Sequence, residues 1–264
     1  MIEITSLNND RIRRVQALQR STRRRMRADA MVIEGLRLVR EAVEAAVEIG
    51  EGFYTAEFVA DPRGAALVEQ MHRLSITLLR VTDEVMAAMS DTETPQGMLA
   101  VLPIPELSDD LSSGLTLLPD RIRDPGNMGT MLRTAWAASV RRVLIPPGCV
   151  DPTNPKVVRA GMGAHFRVPI RKDEWGAIEE MVVGDTIWLA EAEGGLAYDQ
   201  VDWTGPVTLI IGGEAHGAGP RARELAGGRH VTIPMAPGVE SLNAAMATTV
   251  LLFEARRQRL AVES

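Results

Sequence analysis

The feature that most constrains this chain is an alternation of strand-like and helix-like segments, running from residue 8 to residue 259 and interrupted once. Before the interruption, apolar spacing predicts a helix over 8–27, a strand at Met31-Val32-Ile33, a helix over 36–48 and a strand at Phe58-Val59-Ala60. A helix over 64–73, a strand over 76–81, a short helix over 83–89 and a strand over 98–102 follow. Pro103-Ile104-Pro105-Glu106-Leu107-Ser108-Asp109-Asp110 then breaks the pattern with the prolines and polar residues of a linker. The alternation restarts with strands over 115–118 and 143–145 around a helix over 127–139. Strands over 186–190, 207–211 and 231–234 and an amphipathic helix over 241–259 complete it. Such a chain predicts an α/β protein with mostly parallel sheets covered by helices. Its 264 residues suit two cores: a small N-terminal α/β domain over 1–103, a linker over 104–113 and a second α/β domain over 114–264.

Several chemistries are excluded by what is missing. The lone Cys149 leaves no disulfide framework and no cysteine zinc site, and reads as a small buried hydrophobe. His72, His165, His216 and His230 form no i, i+4 pair for a metal, and no serine stands in G-x-S-x-G. A P-loop needs lysine after glycine, which neither Lys156 nor Lys172 supplies. Gly161-Met162-Gly163 and Gly212-Gly213-Glu214 both miss the dinucleotide fingerprint. The first residues carry no basic region followed by an apolar one, and no apolar run approaches the roughly 18 residues of a membrane span, so a cytoplasmic protein is expected.

A net charge of −6 conceals a strongly uneven distribution. Between Arg11 and Arg40 stand ten arginines against Asp29 and Glu34. A solvated helix face is one reading. The other is phosphate contact, because Arg23-Arg24-Arg25 with Arg27 concentrates charge beyond what solubility requires. Arg11, Arg23, Arg24, Arg25 and Arg27 are therefore candidate contacts to phosphate.

Three segments combine glycines with polar residues that a plain core would not choose. Asp124-Pro125-Gly126-Asn127-Met128-Gly129-Thr130-Met131-Leu132-Arg133-Thr134-Ala135 opens a helix directly after a strand. Leu209-Ile210-Ile211-Gly212-Gly213-Glu214-Ala215-His216-Gly217 ends an apolar strand in a glycine loop carrying one acid, where Gly212 and Gly213 leave room for a ligand to approach the backbone. Ile233-Pro234-Met235 leads through a loop to Ser241-Leu242-Asn243-Ala244-Ala245-Met246-Ala247, where Ser241 or Asn243 can cap a helix. Taken singly, each is equally readable as a turn with a cap.

In order and spacing, the three resemble the signature motifs of the SpoU (TrmH) class of SPOUT methyltransferases, which methylate RNA ribose 2′-hydroxyls from S-adenosylmethionine. Asp151-Pro152-Thr153-Asn154-Pro155-Lys156 through Gly161-Met162-Gly163-Ala164 is also similar to that family. At the front, Ser6-Leu7-Asn8-Asn9, Val32-Ile33-Glu34-Gly35 and Thr94-Pro95-Gln96-Gly97 resemble the substrate-binding domain often fused ahead of the catalytic one. The resemblance spans residues 3–259.

It implies a C-terminal domain tied in a deep trefoil knot and a homodimer whose active sites are shared between subunits. The apolar face of the last helix, with Met246, Val250, Leu251 and Phe253, suits such an interface or a plain core. Matched residue by residue, S-adenosylmethionine falls to Gly212, Ile233 and Leu242, with Gly213 and Met235 close by. Arg133 matches the catalytic arginine. Its guanidinium keeps its proton, so stabilising the developing alkoxide and the adjacent phosphate suits it better than acting as a base. Asn127 orients the substrate or Arg133, while Glu214, Ser241 and Asn243 organise the pocket; Glu214 is alternatively a structural cap, and His216 is read as solvated. Ribosomal RNA, preferably 23S, is the expected substrate. Transfer RNA is the alternative within enzymes, and an inert RNA-binding or ribosome-assembly protein is the alternative outside them.

Overall fold

The computed structural model describes residues 3–109, 114–214 and 216–263. The linker expected over 104–113 therefore lies in part, at 110–113, outside the described residues. Two compact units emerge: one holds residues 1–105 with 153–166, the other 106–152 with 167–264.

The first unit begins with β1 (Glu3–Ile4), α1 (Asp10–Arg20), α2 (Thr22–Ala28), β2 (Ala30–Glu34) and α3 (Leu36–Glu44). It continues through β3 (Glu51–Tyr54), α4 (Ala56–Ala60), α5 (Pro62–Arg73), β4 (Thr77–Val81), α6 (Asp83–Met89) and β5 (Met98–Pro103). Its sheet runs β1-β4-β3-β5-β2, parallel except where β5 opposes β3 and β2. Met31, Ile33, Val39, Met71 and Met98 pack on one face of it, while Ile12, Val15, Phe53, Val85 and Leu99 pack on the other. Strands β2, β3 and β5 are thus covered on both sides, while β1 and β4 stay partly exposed.

Two expectations are corrected here. The helix predicted over 8–27 is two helices, because Ser21 is extended (φ −137°, ψ 113°) and its Oγ accepts the amide of Arg24, starting α2 afresh. The strand predicted at Phe58–Ala60 is helical: the Thr55 hydroxyl accepts the amide of Phe58 and starts α4. The true strand, β3, is disguised by Glu51 and Gly52. Glu51 is buried and reaches the Arg11 guanidinium at 2.7 Å and that of Arg14 at 3.4 Å.

The second unit contains β6 (Leu115–Asp120), α7 (Pro125–Ala137) and β7 (Arg142–Ile145). The chain then forms α8 (Pro155–Gly161), which belongs to the first unit, and Val158 and Phe166 join that unit's core. The second unit resumes with β8 (Ile170–Lys172), α9 (Trp175–Met181), β9 (Thr186–Ala190), β10 (Leu196–Ala197) and β11 (Val207–Gly212). It ends with α10 (Pro220–Ala226), β12 (His230–Thr232) and α11 (Ala244–Glu263). Its sheet runs β10-β12-β9-β11-β6-β7-β8 with every pairing parallel. The α/β, mostly parallel reading of the sequence is met. Short α8, α9, α10, β8 and β10 were not read from the sequence, since stretches of two to seven residues carry too little periodicity. No helix among the described residues is long and apolar enough to cross a membrane.

Candidate active site

In an all-parallel sheet covered by helices, the carboxyl ends of the strands are where loops can converge on a ligand. Here β9, β11 and β12 release the chain into loops that, with the start of α11, line a cavity of about 400 Å³. Gly212, Gly213, Ile233, Met235 and Leu242, the positions matched to the cofactor, all line it. So do Glu214, Ser241 and Asn243.

Two helix caps place the polar cluster. Asp124 is extended, its Oδ1 accepts the amide of Asn127 at 2.8 Å, and Pro125 occupies the first helical position, so Asn127 sits in the first turn of α7. Asn243 Oδ1 accepts the amides of Ala245 and Met246 and starts α11. From these two positions both side-chain amides reach one carboxylate. Asn127 Nδ2 donates to Glu214 Oε1 at 2.5 Å, and Asn243 Nδ2 donates to the same oxygen at 2.6 Å and to Asn127 Oδ1 at 3.1 Å. Ser241 lines the cavity beside this cluster; Arg133 does not line it and is exposed about one and two-thirds turns beyond Asn127 along α7.

The glycines serve a different purpose from the one the sequence suggested. A Cβ on Gly212 would stand 2.3 Å from the amide nitrogen of Ala218, and one on Gly213 would stand 2.4 Å from the carbonyl oxygen of Arg121. The room they leave is filled by the protein's own backbone. Asp120, buried at the end of β6, fixes the same loop by accepting the amide of Gly219 at 2.6 Å, and Gly217 donates to the Gly213 carbonyl at 2.8 Å. Asp120 escaped the sequence reading, as did Glu191, which follows β9 into the cavity. The available signal for both was an acid directly at the end of an apolar strand.

Cys149 donates to the Pro119 carbonyl at 3.2 Å, and burial pushes its thiol up to about 11, which makes it a poor nucleophile at neutral pH.

Among the candidate RNA contacts of the first unit, Arg23, Arg24 and Arg27 are exposed on α2, and Arg11 is half exposed in its pair with Glu51. Arg25 is corrected. It is 2% exposed and spends its guanidinium on Thr153 Oγ1 (3.0 Å), the Leu18 carbonyl (2.8 Å) and Thr22 Oγ1 (2.9 Å). It anchors residues of α1, α2 and the α8 segment and has no surface to offer.

With this geometry in place, comparison with known proteins is informative. Residues 114–253 match the SpoU rRNA Methylase family and residues 9–100 the MRM3-like substrate binding domain. The mitochondrial rRNA methyltransferase 3 of Mus musculus is 33% identical, over 96% of this chain and 73% of its own length. The 23S rRNA (guanosine(2553)-2′-O)-methyltransferase RlmP of Bacillus subtilis is 28% identical, over 97% of this chain and 100% of its own. Among solved structures, the AdoMet-bound rRNA methyltransferase from Sinorhizobium meliloti superimposes with a TM-score of 0.83 at 27% identity, covering 97% of both chains.

Proposed function

The chain belongs to the SpoU rRNA methylase family, and from that premise we propose that it methylates a ribose 2′-hydroxyl of 23S-type ribosomal RNA in the cytoplasm, with S-adenosylmethionine as methyl donor. It is an S-adenosylmethionine-dependent RNA methyltransferase. One observation carries the assignment of the site: Asn127, Glu214 and Asn243 meet beside a cavity lined by Gly212, Ile233 and Leu242. Apolar side chains at Ile233, Met235, Leu242 and Leu251 suit an adenine, and the volume suits a ligand of this size.

When bound, S-adenosylmethionine supplies an electrophilic methyl group. The protein's part is to hold a ribose oxygen in line with it and to stabilise the charge that oxygen acquires. Asn127 and Asn243 fix Glu214 at the cavity's edge, so that these polar groups are oriented before substrate arrives. Arg133, on the same helix as Asn127, is assigned to the developing alkoxide and the adjacent phosphate, with the ribose proton leaving to that phosphate or to water. A homodimer is part of this reading, supported by Met246 and Phe253, which stay exposed on α11 while Leu251 is core. The family's knotted path for the C-terminal chain is part of it as well.

Incubating the protein with ribosomal RNA and methyl-labelled S-adenosylmethionine is expected to place label in one 2′-O-methylnucleoside after complete digestion. Label on a base, or transfer confined to transfer RNA, would refute the substrate assignment.

The arginines of α2 are assigned to RNA phosphates, supported by their exposure and local charge. Substituting Arg23, Arg24 and Arg27 together with alanine is expected to flatten the dependence of log affinity on log salt by roughly 0.7 to 0.9 per lost contact. Arg25→Ala should instead lower the melting temperature and leave that slope alone, because it strands buried acceptors. Titrations at several salt concentrations measure both; an unchanged slope in the triple variant would mean that these arginines only solvate α2.

A further inference from the structure

Glu191 is a charged group in the cavity that the chemistry above leaves without a task. We propose that its carboxylate accepts hydrogen bonds from the vicinal hydroxyls of the cofactor's ribose and so selects an adenosine with an intact 2′,3′-diol. The proposal rests on the assignment of the cavity to S-adenosylmethionine.

Position is the first argument. In the sheet, β11 lies between β9 and β6. Glu191 leaves from β9, whereas β6 leads into α7 and Asn127. Glu191 therefore enters the cavity from the flank opposite the Asn127–Glu214–Asn243 cluster, where the methyl must be presented. A group there meets the cofactor rather than the ribose under attack.

Rigidity is the second. The Glu191 amide donates to the Val231 carbonyl at 3.0 Å, which pins its backbone to β12. Its Oε1 is buried and lies 2.5 Å from Arg223 Nη1. Arg223 in turn donates through Nε to the Ala218 carbonyl at 3.2 Å, in the loop that closes behind Gly213. The backbone is held by β12 and the carboxylate by Arg223, yet 23% of the side chain stays accessible on a residue lining the cavity. That is a preorganised acceptor.

Charge decides which part of the cofactor it takes. An ionised carboxylate only accepts, and two vicinal hydroxyls only need acceptors for their protons. The amino-acid ammonium also donates, but beside Glu191 it would sit next to the Arg223 guanidinium and be repelled by it. A neutral diol meets no such penalty, and adenine has its apolar wall at Ile233 and Leu242.

Calorimetry with three ligands tests this: S-adenosylhomocysteine, 5′-methylthioadenosine, which lacks the amino-acid end, and the 2′-deoxy form of the latter. The wild type should bind the 2′-deoxy ligand roughly 10- to 100-fold more weakly than 5′-methylthioadenosine. Glu191→Ala should weaken S-adenosylhomocysteine and 5′-methylthioadenosine by a similar factor and erase the discrimination between diol and deoxy ligands. Glu191→Gln keeps the shape and one acceptor oxygen, should give an intermediate loss, and serves if the alanine variant misfolds. Equal wild-type affinity for the diol and 2′-deoxy ligands would overturn the proposal. So would a Glu191→Ala variant that loses S-adenosylhomocysteine but keeps 5′-methylthioadenosine, since the carboxylate would then serve the ammonium. Failure of the wild type to bind any of the three is a separate result, and would overturn the cavity assignment itself together with the proposal.

Discussion

Replacing Arg133 with alanine is expected to slow methyl transfer by about 10²- to 10³-fold, the loss typical of removing one donor aimed at developing negative charge. The measurement is a single-turnover rate with both RNA and S-adenosylmethionine saturating, so that binding defects do not enter. Folding should be nearly unaffected, because Arg133 is exposed on α7. Cofactor affinity should also hold, because Arg133 does not line the cavity. Lysine at this position keeps the charge but not the planar fork, and should recover only part of the rate. A near wild-type rate in the alanine variant would remove Arg133 from the reaction.

The second large effect belongs to Gly213. Its Cβ would fall 2.4 Å from the Arg121 carbonyl oxygen and 3.1 Å from the carbonyl carbon, so the obstacle is main chain and cannot rotate away. Gly213→Val should destabilise the second unit by about 3 kcal/mol and lower its melting temperature by about 5–10 °C. S-adenosylmethionine binding should weaken because the loop that forms the cavity wall is displaced. Gly213→Ala brings the same first carbon and should show most of the loss. An alanine variant that melts with the wild type would show that the loop accommodates a Cβ and that the glycine is there for some other reason.

These two residues mark how far the sequence could be read. The helix that carries Asn127 and Arg133 was legible because the strand before it and the Asp124-Pro125 start are local signals, each complete within a few residues, whereas the roles assigned to the two residues rest on the family resemblance. The second sheet was legible for the same reason: Val207–Ile211 and Leu115–Leu118 are unbroken apolar runs that only a covered strand explains. What failed was whatever depends on a distant partner. Gly213 announced a close approach but not that Arg121, about ninety residues earlier, is what approaches. Arg25 stood in a run of exposed arginines, and nothing within the run distinguishes the one whose guanidinium finds Thr153. Strand β3 was missed because a buried glutamate with two arginine partners reads, in one dimension, as a solvent-facing acid. Glu191 was invisible for a related reason, since its meaning lies in Arg223 and in the cavity that three strand ends enclose.

The α8 segment carries a consequence for how such proteins can be recombined. Residues 153–166 lie between stretches of the second unit in the reading frame but are packed into the first. A gene cut near residue 105 therefore does not excise a module: the front fragment would lack Val158 and Phe166 from its core and the Thr153 hydroxyl that Arg25 holds. The remaining fragment would carry a helix whose apolar side has lost its cover. Chimaeras that exchange substrate specificity between relatives should fold best when 1–105 and 153–166 are inherited together from one parent, a rule that sequence boundaries alone would not disclose.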